Sequence, residues 1–212
     1  MESPLPPPIS LILLHGLGAD GSDMAGLAKA LALPGPVRLI CPDAPVRPIT
    51  LNGGYAMRGW FDITGLGPDD PVDADGIAAA FEQARAWIDA ERAAGVPAGR
   101  IVLGGFSQGG VVALHAALRY PEPLGAVLAL STWLPLRDAL KREHSPAALA
   151  TPIFMAHGTH DDVVRLSSAE RARDALRDMG CRELLFKTYP MTHSISMSEV
   201  ADMRAMLAKH LA

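Results

Sequence analysis

Residues 101–110 read IVLGGFSQGG, an apolar run that passes into a serine set among four glycines. Glycine weakens strands and helices alike. Its repetition at Gly104, Gly105, Gly109 and Gly110 therefore points to an unusual backbone or a close approach. Gly105-Phe106-Ser107-Gln108-Gly109 fits the pattern G-x-S-x-G. On a sharp strand-to-helix turn, that pattern holds the serine in a strained conformation with its Oγ exposed. The pattern alone is weakly specific, since any glycine-rich turn with a solvent-facing serine would produce it. Its context carries the weight: residues 101–106 read as a strand, and residues 111–119 as a helix ended by Tyr120-Pro121.

Outward from this turn, short apolar runs alternate with helical patterns. Residues 9–14, 37–41, 125–130, 152–156 and 183–189 are further strand candidates. Residues 73–94 carry an apolar stripe at Ile77, Phe81, Ala84 and Ile88, closed by Gly95 and Pro97. Ser167-x-x-Glu170 and Ser196-x-x-Glu199 read as capping boxes opening two later helices. Strand runs without alternation, separated by helices, predict an α/β fold whose mostly parallel central sheet has helices on both faces. Residues 42–72 stand apart: long, rich in glycine and proline, and carrying Tyr55, Trp60 and Phe61. Segments of that kind in a compact domain tend to be functional.

The bulk composition narrows the classes. A chain of 212 residues suits one sizeable core, expected over residues 9–212 as a single domain. Net charge is −4 with no block of like charges, which argues against a nucleic-acid surface. No apolar run reaches the roughly 18 residues of a spanning helix, so stable membrane insertion is not expected. Residues 1–8 are proline-rich and lack the basic patch of a secretory leader; they read as a disordered tail. Cys41 and Cys181 are the two cysteines, read as reduced structural thiols in a cytoplasmic protein.

Serine is a weak nucleophile without a base. On a strand-turn-helix elbow of this kind the partners follow in the order Ser, then Asp or Glu, then His. Only His193 and His210 lie beyond the last strand. His210 reads as a solvated helix-end cation, whereas His193 sits in a loop just past residue 189. For the acid, the strand at 152–156 runs into His157-Gly158-Thr159-His160-Asp161-Asp162, where Asp161 and Asp162 compete and spacing does not choose. An aspartate there would orient His193 and stabilise its imidazolium. The helix after Ser107 aims its amides at the serine, which makes the Gln108 N–H one oxyanion donor. The glycine-flanked loop His15-Gly16-Leu17-Gly18 after the first strand offers the Leu17 N–H as the other. His15 itself reads as a packed loop anchor. Such a mechanism calls for no metal and no cofactor.

The segments LHGLGADG, CPDAP, MRGWFDI, GFSQGG, STWLP, HGTHDDVV and YPMTHS follow in this order between about Leu13 and Ser194. Together they resemble the small carboxylesterase and acyl-protein thioesterase family of α/β hydrolases, also called the phospholipase/carboxylesterase family. The resemblance implies the α/β-hydrolase fold, with Ser107 as nucleophile, Asp161 rather than Asp162 as the acid, and His193 as the base. It implies Leu17 and Gln108 as oxyanion donors and Trp60 as a lining residue of the acyl channel. Family members often form dimers, which extends the expectation of a homodimer to this chain.

Met57, Trp60, Phe61, Leu66, Trp133, Leu134, Met191 and Ile195 are candidates to surround an acyl chain. The first-ranked reading is a serine carboxylesterase for short- to medium-chain acyl esters, working through an acyl-enzyme. Against it stands a thioesterase or lysophospholipase acting on long acyl chains, and, from another class, a non-catalytic binding protein on the same fold.

Overall fold

The computed structural model of the protein describes residues 8–67 and 70–211. The expected tail, residues 1–8, lies outside them except for Pro8. The chain runs β1 (Ile9–Leu14), α1 (Gly21–Leu31), β2 (Val37–Ile40), β3 (Val46–Ile49), β4 (Tyr55–Arg58), α2 (Ala74–Ala93), β5 (Ile101–Phe106) and α3 (Gln108–Arg119). It continues through β6 (Ala126–Leu130), α4 (Arg137–Glu143), β7 (Ile153–Gly158), α5 (Leu166–Met179), β8 (Leu184–Tyr189) and α6 (Met197–His210). Six strands form a parallel sheet in the order β2-β1-β5-β6-β7-β8. Strands β3 and β4 make a separate antiparallel hairpin within the segment 42–72.

The unbroken apolar strands follow from burial on both sheet faces. In β1, Ile12 and Leu14 pack into one core with Ile77, Ile88, Leu114 and Leu176 of α2, α3 and α5. Their neighbours Leu11 and Leu13 pack into a second core with Met24, Leu27 and Leu31 of α1 and Met203 and Leu207 of α6. The side-chain period of two thus divides the inner strands β1, β5, β6 and β7 between two layers of helices, whereas Val37 and Leu39 leave the edge strand β2 largely exposed.

Three local features differ from expectation. Helix α3 starts at Gln108, three residues before the expected position, because the helix follows the turn directly. Helix α5 begins at Leu166 after Arg165, which makes no side-chain cap, so the Ser167/Glu170 capping box does not form. The Ser167 and Ser168 hydroxyls instead accept hydrogen bonds from Arg171. The Ser196/Glu199 box does form, at the start of α6. Helices α1 and α4 and the hairpin carry weaker sequence signals. For α1 these are Asp20, whose carboxylate caps the Ser22 N–H at 2.8 Å, and the buried stripe Met24, Leu27 and Leu31.

Candidate active site

The loops that bring the candidate residues together leave the carboxyl ends of β1, β5, β7 and the edge strand β8, where ligands sit in open α/β sheets. Ser107 follows β5 with φ 53° and ψ −116°, in a region that side chains rarely occupy. Its N–H donates to the Leu130 carbonyl at 2.8 Å, and its carbonyl accepts the Thr132 hydroxyl at 2.7 Å. The flanking glycines now have a steric reason. A Cβ on Gly105 would lie 2.1 Å from the Gly109 carbonyl carbon, and one on Gly109 would lie 2.2 Å from the Leu14 oxygen. The elbow is therefore pressed against β1 and closes only with glycine at both positions.

Asp161 sits in the loop after β7. Its Oδ1 accepts the N–H groups of Val163 (3.0 Å) and Val164 (2.8 Å), which fixes the carboxylate. Its Oδ2 accepts Nδ1–H of His193 at 2.7 Å. Asp162 is exposed and takes no part. Gly158 brings the two loops together: a Cβ there would meet the carbonyl oxygens of Met191 and Thr192 at 2.3 and 2.4 Å. With Nδ1 committed, Nε2 of His193 carries the lone pair. Among the described residues neither that nitrogen nor Ser107 Oγ has a hydrogen-bond partner, and both residues line one cavity of about 520 Å³.

A second histidine, missed by sequence reasoning, touches the same carboxylate. His157 is fully buried; its Nε2–H donates to the Val164 carbonyl at 2.7 Å and lies 3.3 Å from Asp161 Oδ2. Its Nδ1 has no partner among the described residues. Burial holds its pKa below the usual imidazole value, so His157 is neutral. The sequence places it just past the expected strand at 152–156, whereas β7 extends through Gly158 and buries it.

The loop after β1 passes beside the serine, with the Gly16 Cβ position 3.5 Å from Ser107 Cβ. Neither Leu17 nor Gln108 gives its backbone N–H to another described residue. His15 is buried, with Nδ1 on the Gly16 carbonyl and Nε2 accepting the Ala44 N–H at 2.9 Å. It is thus the loop anchor expected of it. The Gln108 side chain works separately from its backbone. It accepts the Trp60 N–H at 2.8 Å and donates to the Phe61 carbonyl at 2.7 Å.

The cavity is lined by Leu66, Trp133 and Ile195 as expected, and also by Met24, Leu51, Ile63 and Val163. Five expected lining residues lie elsewhere, Leu134 among them, which borders a second cavity. Trp60 is only 1% exposed, because its indole N–H is held by the His15 carbonyl at 2.9 Å and its ring packs on His15 and Trp87. Met57 packs toward Gly18, its sulfur accepting from Asn52 at 3.4 Å. Met191 lies over Gly158, where its carbonyl accepts the His160 N–H. Phe61 is also outside the lining and backs Trp133 edge-on, 6.4 Å between ring centroids.

The sequence model of the phospholipase/carboxylesterase family matches residues 3–211. The chain belongs to this family. The hydrolase is 37% identical to an acyl-protein thioesterase 1 of Mycosarcoma maydis, over 98% of this chain and 93% of that protein. It is 35% identical to that of Debaryomyces hansenii, over 91% and 87%. Its fold superposes on Arabidopsis thaliana SOBER1 with a TM-score of 0.92 at 30% identity, covering 97% of this chain and all of the other. The Zea mays acyl-protein thioesterase 2 gives 0.85 at 31% identity, covering 100% and 97%. The protein is a serine ester hydrolase acting on acyl groups. No helix of the described residues is long and apolar enough to cross a membrane.

Proposed function

We propose that this hydrolase releases long acyl chains from thioesters or lysophospholipid-type esters, with Ser107, Asp161 and His193 as its triad. The observation that carries the chemistry is the 2.7 Å bond from His193 Nδ1–H to a carboxylate already fixed by two amides. It leaves Nε2 as the base on the cavity that Ser107 lines. His193 Nε2 takes the Ser107 Oγ proton as the oxygen attacks the acyl carbonyl. The N–H groups of Leu17 and Gln108 receive the oxyanion. The imidazolium, stabilised by Asp161, protonates the departing thiol or alcohol, and water releases the acyl group by the same route.

The long-chain reading draws its support from the thioesterase relatives and from the cavity wall of Leu51, Ile63, Leu66, Trp133 and Ile195. A volume near 520 Å³ falls within the roughly 300–1,000 Å³ of small-molecule sites. This ranks the short- to medium-chain carboxylesterase second. The two free cysteines fit a cytoplasmic setting, and a homodimer is part of the proposal. An acyl-thioester series from acetyl to palmitoyl, with Ser107→Ala alongside, tests the reading. Turnover rising with chain length and lost in Ser107→Ala is expected. A maximum at short chains would return the carboxylesterase to first place. Silence from folded wild type, with no fluorophosphonate label on Ser107, would leave a binding protein.

A further inference from the structure

Beyond Trp133 lies a second cavity of about 490 Å³, lined by Leu66, Asp70 and Val72 on one side and by residues of α4 and α5 on the other. Leu66 and Trp133 line both cavities and form the partition between them. The chemistry changes across it. The first wall is mainly apolar, whereas Arg137, Arg142 and Arg171 line the second. None of these three arginines has a carboxylate within ion-pair distance among the described residues, while Arg119, on neighbouring α3, pairs with Glu143 at 2.6 Å. Arg171 is oriented only by hydroxyls, donating to Ser168 Oγ at 2.9 Å and Ser167 Oγ at 3.4 Å.

The helix bearing Arg137 and Arg142 is firmly placed. Leu140 is buried, His115 Nε2–H holds the Pro135 carbonyl at 3.1 Å, and Glu143 is tied to Arg119. Leu136, at the entrance to α4, has φ 50°, a strained backbone for a branched side chain. Among the described residues two carboxylates, Asp70 and Asp138, also border the cavity. Asp70 is turned to the Gly67 N–H at 2.6 Å, and three guanidinium groups outnumber the pair.

We propose that this second cavity receives an anionic group, a carboxylate or a phosphate, carried by the acyl substrate away from its scissile bond and bound by Arg137, Arg142 and Arg171. The inference rests on the hydrolase reading above and narrows its substrate to acyl compounds with a remote anion. Planar guanidinium forks suit both oxyanions, and a substrate lying across Trp133 would span the two cavities.

Two arms test it on the full-length protein. One compares mono-4-nitrophenyl esters of dicarboxylic acids, from adipic to sebacic, with the same esters capped as methyl esters. The other compares lysophosphatidic acid with its matching monoacylglycerol. A preference for the anionic member of about three- to tenfold in kcat/KM, shrinking with added salt, is expected. The arm that shows it identifies the source of the anion. In Arg142→Ala/Arg171→Ala the ratio should fall toward one, and Arg142→Glu should invert it. No preference in either arm, or one that survives both variants, would overturn the proposal. If the capped esters turn over normally in those cases, the hydrolase reading stands. If folded protein hydrolyses neither capped nor free esters, that reading fails and this one fails with it.

Discussion

Two histidines approach the same oxygen of Asp161, and they differ in where the other ring nitrogen goes. His193 spends Nδ1–H on the carboxylate and leaves Nε2 on the cavity. His157 spends Nε2–H on a backbone carbonyl and leaves Nδ1 in the interior, without a partner among the described residues. The contrast teaches that a shared carboxylate does not make two bases. In the proposed triad, access of the second nitrogen to the cavity divides the chemical role from the structural one.

Removing each ring is the strongest way to break this comparison. His193→Ala should lower kcat by something on the order of 10⁴–10⁶-fold with little change in melting temperature. His157→Leu should do the reverse: an orphaned Val164 carbonyl costs about 1–3 kcal/mol of stability, with a much smaller loss of rate. Chemical denaturation and steady-state assays on both variants decide it. Equal rate losses would abolish the distinction.

The carboxylate itself is the next test. Asp161→Asn should cost roughly 10³–10⁴-fold in turnover, because an amide there favours the wrong tautomer of His193. Asp162→Asn, exposed and unbonded, should stay within about twofold. The opposite ranking would mean that His193 takes its orientation from a different carboxylate during turnover.

The smallest effect is in stability against pH. Burial lowers the pKa of His157, so the unfolded chain binds more protons below about 6.5, and stability is lost as the medium becomes acidic. His115, pushed down to about 4 by burial and by Arg119, acts in the same direction. Glu199 opposes them. Buried in the first turn of α6, its carboxyl is pushed up to about 7, so stability falls as pH rises from about 4.5 to 7. Two histidines outweigh the one carboxyl, so melting temperature in the wild type should fall modestly toward acid over that range. His157→Gln should reduce the loss toward acid, and Glu199→Gln should reduce the loss toward neutrality. Unchanged profiles in both variants would show that these groups do not set the pH response.

The elbow was legible in the sequence because its constraint is local. Gly105 and Gly109 are required by contacts within one turn and against the adjacent strand, and the residue types report that directly. The Ser–Asp–His order was legible because each member follows a recognisable strand. Residues 42–72 resisted reading for the opposite reason. An aromatic in a glycine-rich loop looks the same whether it lines a cavity or plugs the floor beneath it. Trp60 takes the second course only because the His15 carbonyl stands where its indole N–H can reach it. The Ser167/Glu170 pair failed similarly: the helix starts at Leu166, so Ser167 lies inside its first turn, a placement that capping spacing does not encode. His157 escaped notice because a buried histidine on a strand has no periodic signature.

Gln108 reaches further than its backbone. Its amide side chain clasps Trp60 and Phe61, while its own N–H is one of the two proposed oxyanion donors. The aromatic segment and that donor are thus fastened to one residue. A chimera that imports a foreign 42–72 segment to change chain-length preference would also import a new grip on position 108. Segment exchange here should be designed as a two-part graft, with residue 108 and its two backbone partners transferred together.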